Sequence, residues 1–103
     1  METKNVLDAL SALAQETRLE IFRTLVRHAP SGQKPGELSE ALSLAPATLS
    51  FHLKELSHAG LVDVEQQGRC LIYTANLAAM TGLVGYLTEN CCGGNNCTPQ
   101  SPC

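Results

Sequence analysis

Residues 35–74, PGELSEALSLAPATLSFHLKELSHAGLVDVEQQGRCLIYT, decide the fold. Pro35–Leu42 suits a short helix with Leu38, Ala41 and Leu42 turned inward. Ser43-Leu44-Ala45 makes a tight connection, and Pro46 fits the first turn of a second helix, where its missing N–H would have no intrahelical partner anyway. That helix runs to about Ala59, and Gly60 is placed to end it in a left-handed cap. Beyond Gly60 the apolar period changes from about 3.6 to 2. Leu61–Glu65 and Cys70–Thr74 are two β-prone runs on either side of Gln66-Gln67-Gly68-Arg69, which reads as a hairpin.

Working outward, Val6, Leu7, Leu10, Leu13 and Ala14 mark one face of a helix over residues 4–14, and Leu19, Ile21, Phe22, Leu25 and Val26 mark another over 15–28. Ala29-Pro30-Ser31-Gly32 stops the second. From Asn76 to about Glu89, a further helix carries Leu77, Met80, Leu83, Val84 and Leu87 on one stripe. The expected fold is mainly α with a β-hairpin wing, the order of a winged helix-turn-helix. Residues 1–90 are expected to form this domain, and residues 91–103 a flexible Cys-rich tail too full of Gly, Asn, Ser and Pro to hold regular structure unaided.

With 103 residues there is no room for a second core or a separate catalytic domain. No nucleophile–base set, phosphate-binding glycine loop or paired acids on one face appears, so an enzyme is not expected. Seven Lys+Arg against ten Asp+Glu give a net charge of −3, the wrong sign for coating nucleic acid through bulk charge. Any DNA binding must be local and depend on shape. No window approaches the roughly 18 apolar residues of a membrane span and the N-terminus lacks a signal peptide, which predicts a cytoplasmic protein without a membrane partner.

In the helix from Pro46, Leu49, Leu53 and Leu56 lie within about 60° of one another at about 100° per residue and form the buried seam. The opposite face carries Ala47, Ser50, Phe51, Lys54 and His58, with Thr48 beside them. Its N-terminal end is small and hydrogen-bonding, which suits close entry into a major groove. Lys54 can meet a phosphate or a guanine edge, and Phe51 a thymine methyl. The competing reading puts Phe51 in the core. At the hairpin tip Arg69 is either a phosphate or minor-groove contact or a solvated turn residue. His52, at the edge of the seam, reads as a packing histidine, and Arg18, Arg23 and Arg27 as partners of Glu16 or Glu20.

The words AQETRLEIFRTL, GELSEALSLAPATLSFHLKELSHAGLV and the hairpin with QGR and IYT resemble the ArsR/SmtB family of bacterial metal- and metalloid-responsive repressors over roughly residues 5–90. The resemblance implies a homodimer joined through the first and last helices, seated on an operator in its own promoter and released by an inducer. The apolar stripes on those two helices, and the small Gly82 and Gly85, agree with self-association. A twofold dimer would place its reading helices about 34–36 Å apart, which predicts an inverted-repeat operator.

That family places its sensor sites variously. Here PGELSEAL has no cysteine for a site on the third helix, residues 76–90 have no histidine for a zinc-type site, and no cysteine precedes Cys70. Four of the five cysteines, Cys91, Cys92, Cys97 and Cys103, fall in the last thirteen residues. Adjacent thiols followed by Gly-Gly-Asn-Asn can bring three sulfurs onto one atom, since glycine tolerates the positive φ of a tight loop. An all-sulfur set selects a soft ion, and As(III) or Sb(III) fits three thiolates, with no organic cofactor required. Cys91 and Cys92 are the first two expected ligands, with Cys97 the third and Cys103 its alternative. Other soft metals (Cd, Zn, Cu), a thiol-redox signal, and a metal-trafficking module are the alternative functions. Cys70, on the apolar face of the hairpin, is expected to be a small buried residue.

Overall fold

A computed structural model describes residues 1–90. The chain runs α1 (Thr3–Leu13), α2 (Glu16–Arg27), α3 (Pro35–Leu42), α4 (Pro46–His58), β1 (Val62–Gln67), β2 (Cys70–Ala75) and α5 (Leu77–Leu87). This is the winged helix-turn-helix order.

Three of the five helix starts follow from a local donor or acceptor, and α4 begins on Pro46 without a side-chain cap. The Gln15 side chain accepts from the Arg18 N–H at 2.8 Å and begins α2, and the Asn76 side chain accepts from the Ala79 N–H at 3.0 Å and begins α5. At α3 the Glu37 carboxylate accepts from the Lys34 backbone N–H at 2.9 Å, satisfying one of the donors a helix N-terminus leaves free. Ser43, in the left-handed region at φ 54°, ends α3 and turns the chain sharply into α4. The expected cap on α4 forms as read: Gly60 has φ +78°, Leu61 N–H bonds Leu56 C=O at 3.1 Å, and Gly60 N–H bonds Ser57 C=O at 3.0 Å.

Ile21 and Leu25 of α2, Leu38 of α3, Leu49, Leu53 and Leu56 of α4, and Leu61 make the centre of the core, all essentially without exposure. Ala41, expected inward, is exposed, so Leu38 with half-buried Leu42 anchors α3. The α1 stripe also differs from its reading. Val6, Ala9 and Ala12 are buried, whereas Leu7 and Leu10 face out. Two alanines let α1 approach its neighbours closely, a preference that a count of large apolar residues does not capture.

In the wing, Val62 pairs with Ala75 and Gln67 with Cys70, antiparallel. The strands therefore reach further than the alternating apolar runs suggested, and the connection shrinks to Gly68-Arg69 with Gly68 at φ +64°. Glycine with positive φ at the first turn position matches the twist of the flanking strands. Gln33 adds a bridge to Tyr73, with both N–H···O bonds at 2.8–2.9 Å, so the α2–α3 loop holds the outer edge of the wing. Gly32 is needed there. At φ +80° its absent Cβ would lie 2.6 Å from the Tyr73 carbonyl oxygen. On α5 only Leu83 is fully buried, while Leu77, Val84 and Leu87 remain exposed. Among the described residues no helix is long and apolar enough to cross a membrane.

Candidate nucleic-acid interface

Because Leu49, Leu53 and Leu56 occupy the inner face of α4, the helical repeat turns Ala47, Thr48, Ser50, Phe51 and Lys54 outward, and all five are exposed. Phe51 is 56% exposed, so it does not belong to the core. Its ring meets His52 edge-on, with centroids 5.5 Å apart and planes at 65°. His52 itself is buried in the seam, as its reading as a packing residue requires.

The arginines of α2 depart from expectation. Arg18 Nε–H donates to the Ala12 carbonyl at 2.7 Å, and its Nη1 lies 3.4 Å from His52 Nδ1. Arg27 Nη2 donates to Thr24 Oγ1 at 3.2 Å. Neither hydrogen bond goes to Glu16 or Glu20. The α1 carbonyls left free at the helix end offer a nearer and better-aimed acceptor than a mobile carboxylate one turn away.

Arg69 is exposed at the tip of the wing. It lines a cleft of about 280 Å³ together with Lys34, Pro35, Cys70 and Leu71, between the wing and the start of α3. Lys34 escaped the sequence reading. Nothing in the spacing marked it, because its place beside Arg69 depends on how the wing lies against the start of α3. Cys70 is half-buried in this cleft instead of buried in a core. The outer face of α4, the wing tip and Lys34 together supply hydrogen-bonding, apolar and cationic groups, a mixture that can meet base edges and phosphates at once.

The expected thiolate ligands Cys91, Cys92, Cys97 and Cys103 lie outside the described residues. Among the described residues no group of three or more His, Cys, Asp or Glu side chains could hold a metal ion.

The helix-turn-helix domain family matches residues 13–65, from the end of α1 into β1. Similar solved structures include an ArsR-like transcriptional regulator from Rhodococcus sp. RHA1, 27% identical, covering 84% of this chain and 78% of that one with a TM-score of 0.75. HlyU from Vibrio cholerae N16961 is 33% identical over 84% of this chain and 97% of its own, with a TM-score of 0.66. The reduced form of HlyU is 28% identical over 87% of this chain and 92% of its own, also at 0.66. No curated protein sequence matches.

Proposed function

Because the chain belongs to the ArsR family of helix-turn-helix transcription regulators, DNA-binding proteins and not enzymes, we propose that it is a homodimeric repressor released from an inverted-repeat operator by trivalent arsenic or antimony. The observation that carries the DNA-binding half is the outward face of α4, with Phe51 56% exposed beside Ser50 and Lys54. A large apolar ring more than half exposed, with an edge-on contact to His52 as its aromatic neighbour, stays available to a partner, and a thymine methyl is a partner of the right chemistry. Ala47 and Thr48 allow the helix N-terminus to enter the groove. Lys54, Arg69 and Lys34 meet phosphates.

Dimerisation is supported by the stripe that the protomer leaves uncovered: Leu7 and Leu10 on α1, and Leu77, Val84 and Leu87 on α5. The inducer half rests on donor chemistry. Cys91, Cys92 and Cys97, with Cys103 as the alternative third ligand, form an all-thiolate set without imidazole or carboxylate, which favours a soft three-coordinate ion.

Fluorescence anisotropy with a labelled duplex from upstream of the protein's own gene tests the reading. Arsenite at micromolar concentration should release wild type and leave a Cys91→Ser/Cys92→Ser variant bound. Release by zinc but not arsenite would overturn the metalloid assignment. A thiol-redox signal through the same cysteines is the second reading, favoured by the similarity to HlyU, one of whose structures is that of the reduced protein. Diamide in place of arsenite separates the two.

A further inference from the structure

The contact between Arg18 and His52 joins two parts of the fold that have different tasks. Arg18 reaches from the first turn of α2 to both sides. Its Nε–H donates to Ala12 C=O at 2.7 Å in the last turn of α1, and its Nη1 stands 3.4 Å from His52 Nδ1 on α4. Asp8 and Glu55 line the same cleft as Arg18, yet the guanidinium's hydrogen-bond partners are a backbone carbonyl and a ring nitrogen. Charge pairing therefore does not explain where it points. A planar guanidinium offers its donors at fixed separation and angle, so two acceptors held by one fork are held relative to each other. Lysine can donate to two acceptors from its ammonium, but its rotatable donors on a flexible stem do not fix their separation and angle.

The contact also has a requirement. Arginine only donates, so a hydrogen bond here uses the lone pair of His52 Nδ1, with the ring proton on Nε2. His52 is buried, and the next residue outward is Phe51, whose ring rests against it. Anything that rotates His52 changes the support beneath Phe51. We propose that Arg18 and His52 are positioning residues for DNA recognition, a strut that sets the attitude of α4 against α1 without touching DNA. The proposal rests on α4 being the groove-reading helix.

The test uses the full chain with two labelled duplexes, one from upstream of its own gene and one of equal length and scrambled sequence. Arg18→Lys and His52→Leu should each weaken binding to the first by up to about tenfold, the worth of one hydrogen bond, and leave binding to the second within about twofold. His52→Asn places an amide oxygen near the Nδ1 position and should restore most of the affinity. The Arg18→Lys/His52→Leu double variant should bind no worse than Arg18→Lys alone, because that change already removes the contact to His52. Nitrogen-15 spectra of the wild-type ring should show Nδ1 unprotonated, and Arg18→Lys should shift that resonance. Equal losses on both duplexes, additive losses in the double variant, or a protonated Nδ1 would each overturn the strut. Wild type that fails to discriminate the duplexes would instead defeat the reading of α4. Should His52→Leu fail to fold, Arg18→Lys and His52→Asn still separate these outcomes by themselves.

Discussion

The salt dependence of operator binding can be worked out from the cations that face the groove. Each protomer offers Lys34, Lys54 and Arg69 on the proposed surface, all exposed. Arg18 is engaged with Ala12 and His52, and Arg27 bonds Thr24 within α2. Two protomers thus present six cations. At about 0.9 per neutralised phosphate, the slope of log K against log salt should be near −5, so affinity falls about 10³-fold between about 50 and 200 mM salt. Replacing Lys54 by Ala removes two of the six and should bring the slope to about −3.6. The loss over the same interval then shrinks to roughly 150-fold. Lys34→Ala and Arg69→Ala should behave alike, whereas Arg23→Ala, exposed on α2 and not part of the proposed surface, should leave the slope unchanged.

Anisotropy titrations of one duplex across a salt series read this directly. The net charge of −3 per chain adds repulsion at long range, but at about 0.1 M salt the screening length is about 10 Å, so local cations dominate. A wild-type slope well steeper than −6 would mean that phosphates reach cations elsewhere, and the three-cation face would be wrong. Unchanged slopes in all three variants would mean that the wing and α4 do not face the backbone at all.

Gly32→Ala forces a Cβ to within 2.6 Å of the Tyr73 oxygen at a φ of +80°. Overpacking and backbone strain together should cost about 2–4 kcal/mol, lowering the midpoint of a circular-dichroism melt by roughly 10 °C or more. Val84→Glu places a carboxylate on the exposed stripe of α5 and should give monomer in sedimentation at micromolar concentration, since an unpaired buried charge costs several kcal/mol. A variant that stays dimeric rules out that seam. Phe51→Ala should relax the preference for T at one position in a selection experiment while leaving the salt slope as it was. Cys91→Ser and Cys92→Ser should each keep operator affinity and lose release by arsenite, with Cys70→Ser behaving as wild type; release that survives both would move the inducer site elsewhere.

What the sequence made legible followed from local rules. Pro46, Gly60 and the Leu49/Leu53/Leu56 seam define α4, and once that seam is known the outward position of Phe51 follows from about 100° per residue. The change of period after Gly60 gives the wing. The features not legible depend on approach distance. Ala9 and Ala12, and not Leu7 and Leu10, face the core of α1 because small residues set how near the helix can lie. For the same reason Leu83, which belongs to the α5 stripe by spacing, is buried in its own protomer, and Val84 is the better probe of a partner. The Arg18 bridge was hidden too, because nothing in the spacing of charges along α2 tells a carbonyl acceptor from a carboxylate. Lys34 becomes visible only when the wing folds back beside α3.

These magnitudes also limit how release can work. Shifting a repressor from about 99% bound-competent to 1% takes roughly 5.5 kcal/mol of differential inducer affinity. Within a protomer, α5 is tied to α1 by the exposed Thr3–Tyr86 hydroxyl contact at 2.8 Å, and α1 to α4 by Arg18. Each such bond is worth about 1 kcal/mol net, and an exposed one less. Two such bonds in series cannot pass on about 5.5 kcal/mol by themselves. A signal arriving at the end of α5 therefore has to act on something larger than the strut, and in the proposed dimer the exposed stripe of Leu77, Val84 and Leu87 offers such a surface. In that dimer, repacking Leu77, Val84 and Leu87 against the partner would move a whole protomer as a rigid body, and both reading helices would leave their spacing together. The strut then has the complementary task of keeping α4 fixed within that body, so that motion at the seam reaches the DNA instead of being lost in a loose helix.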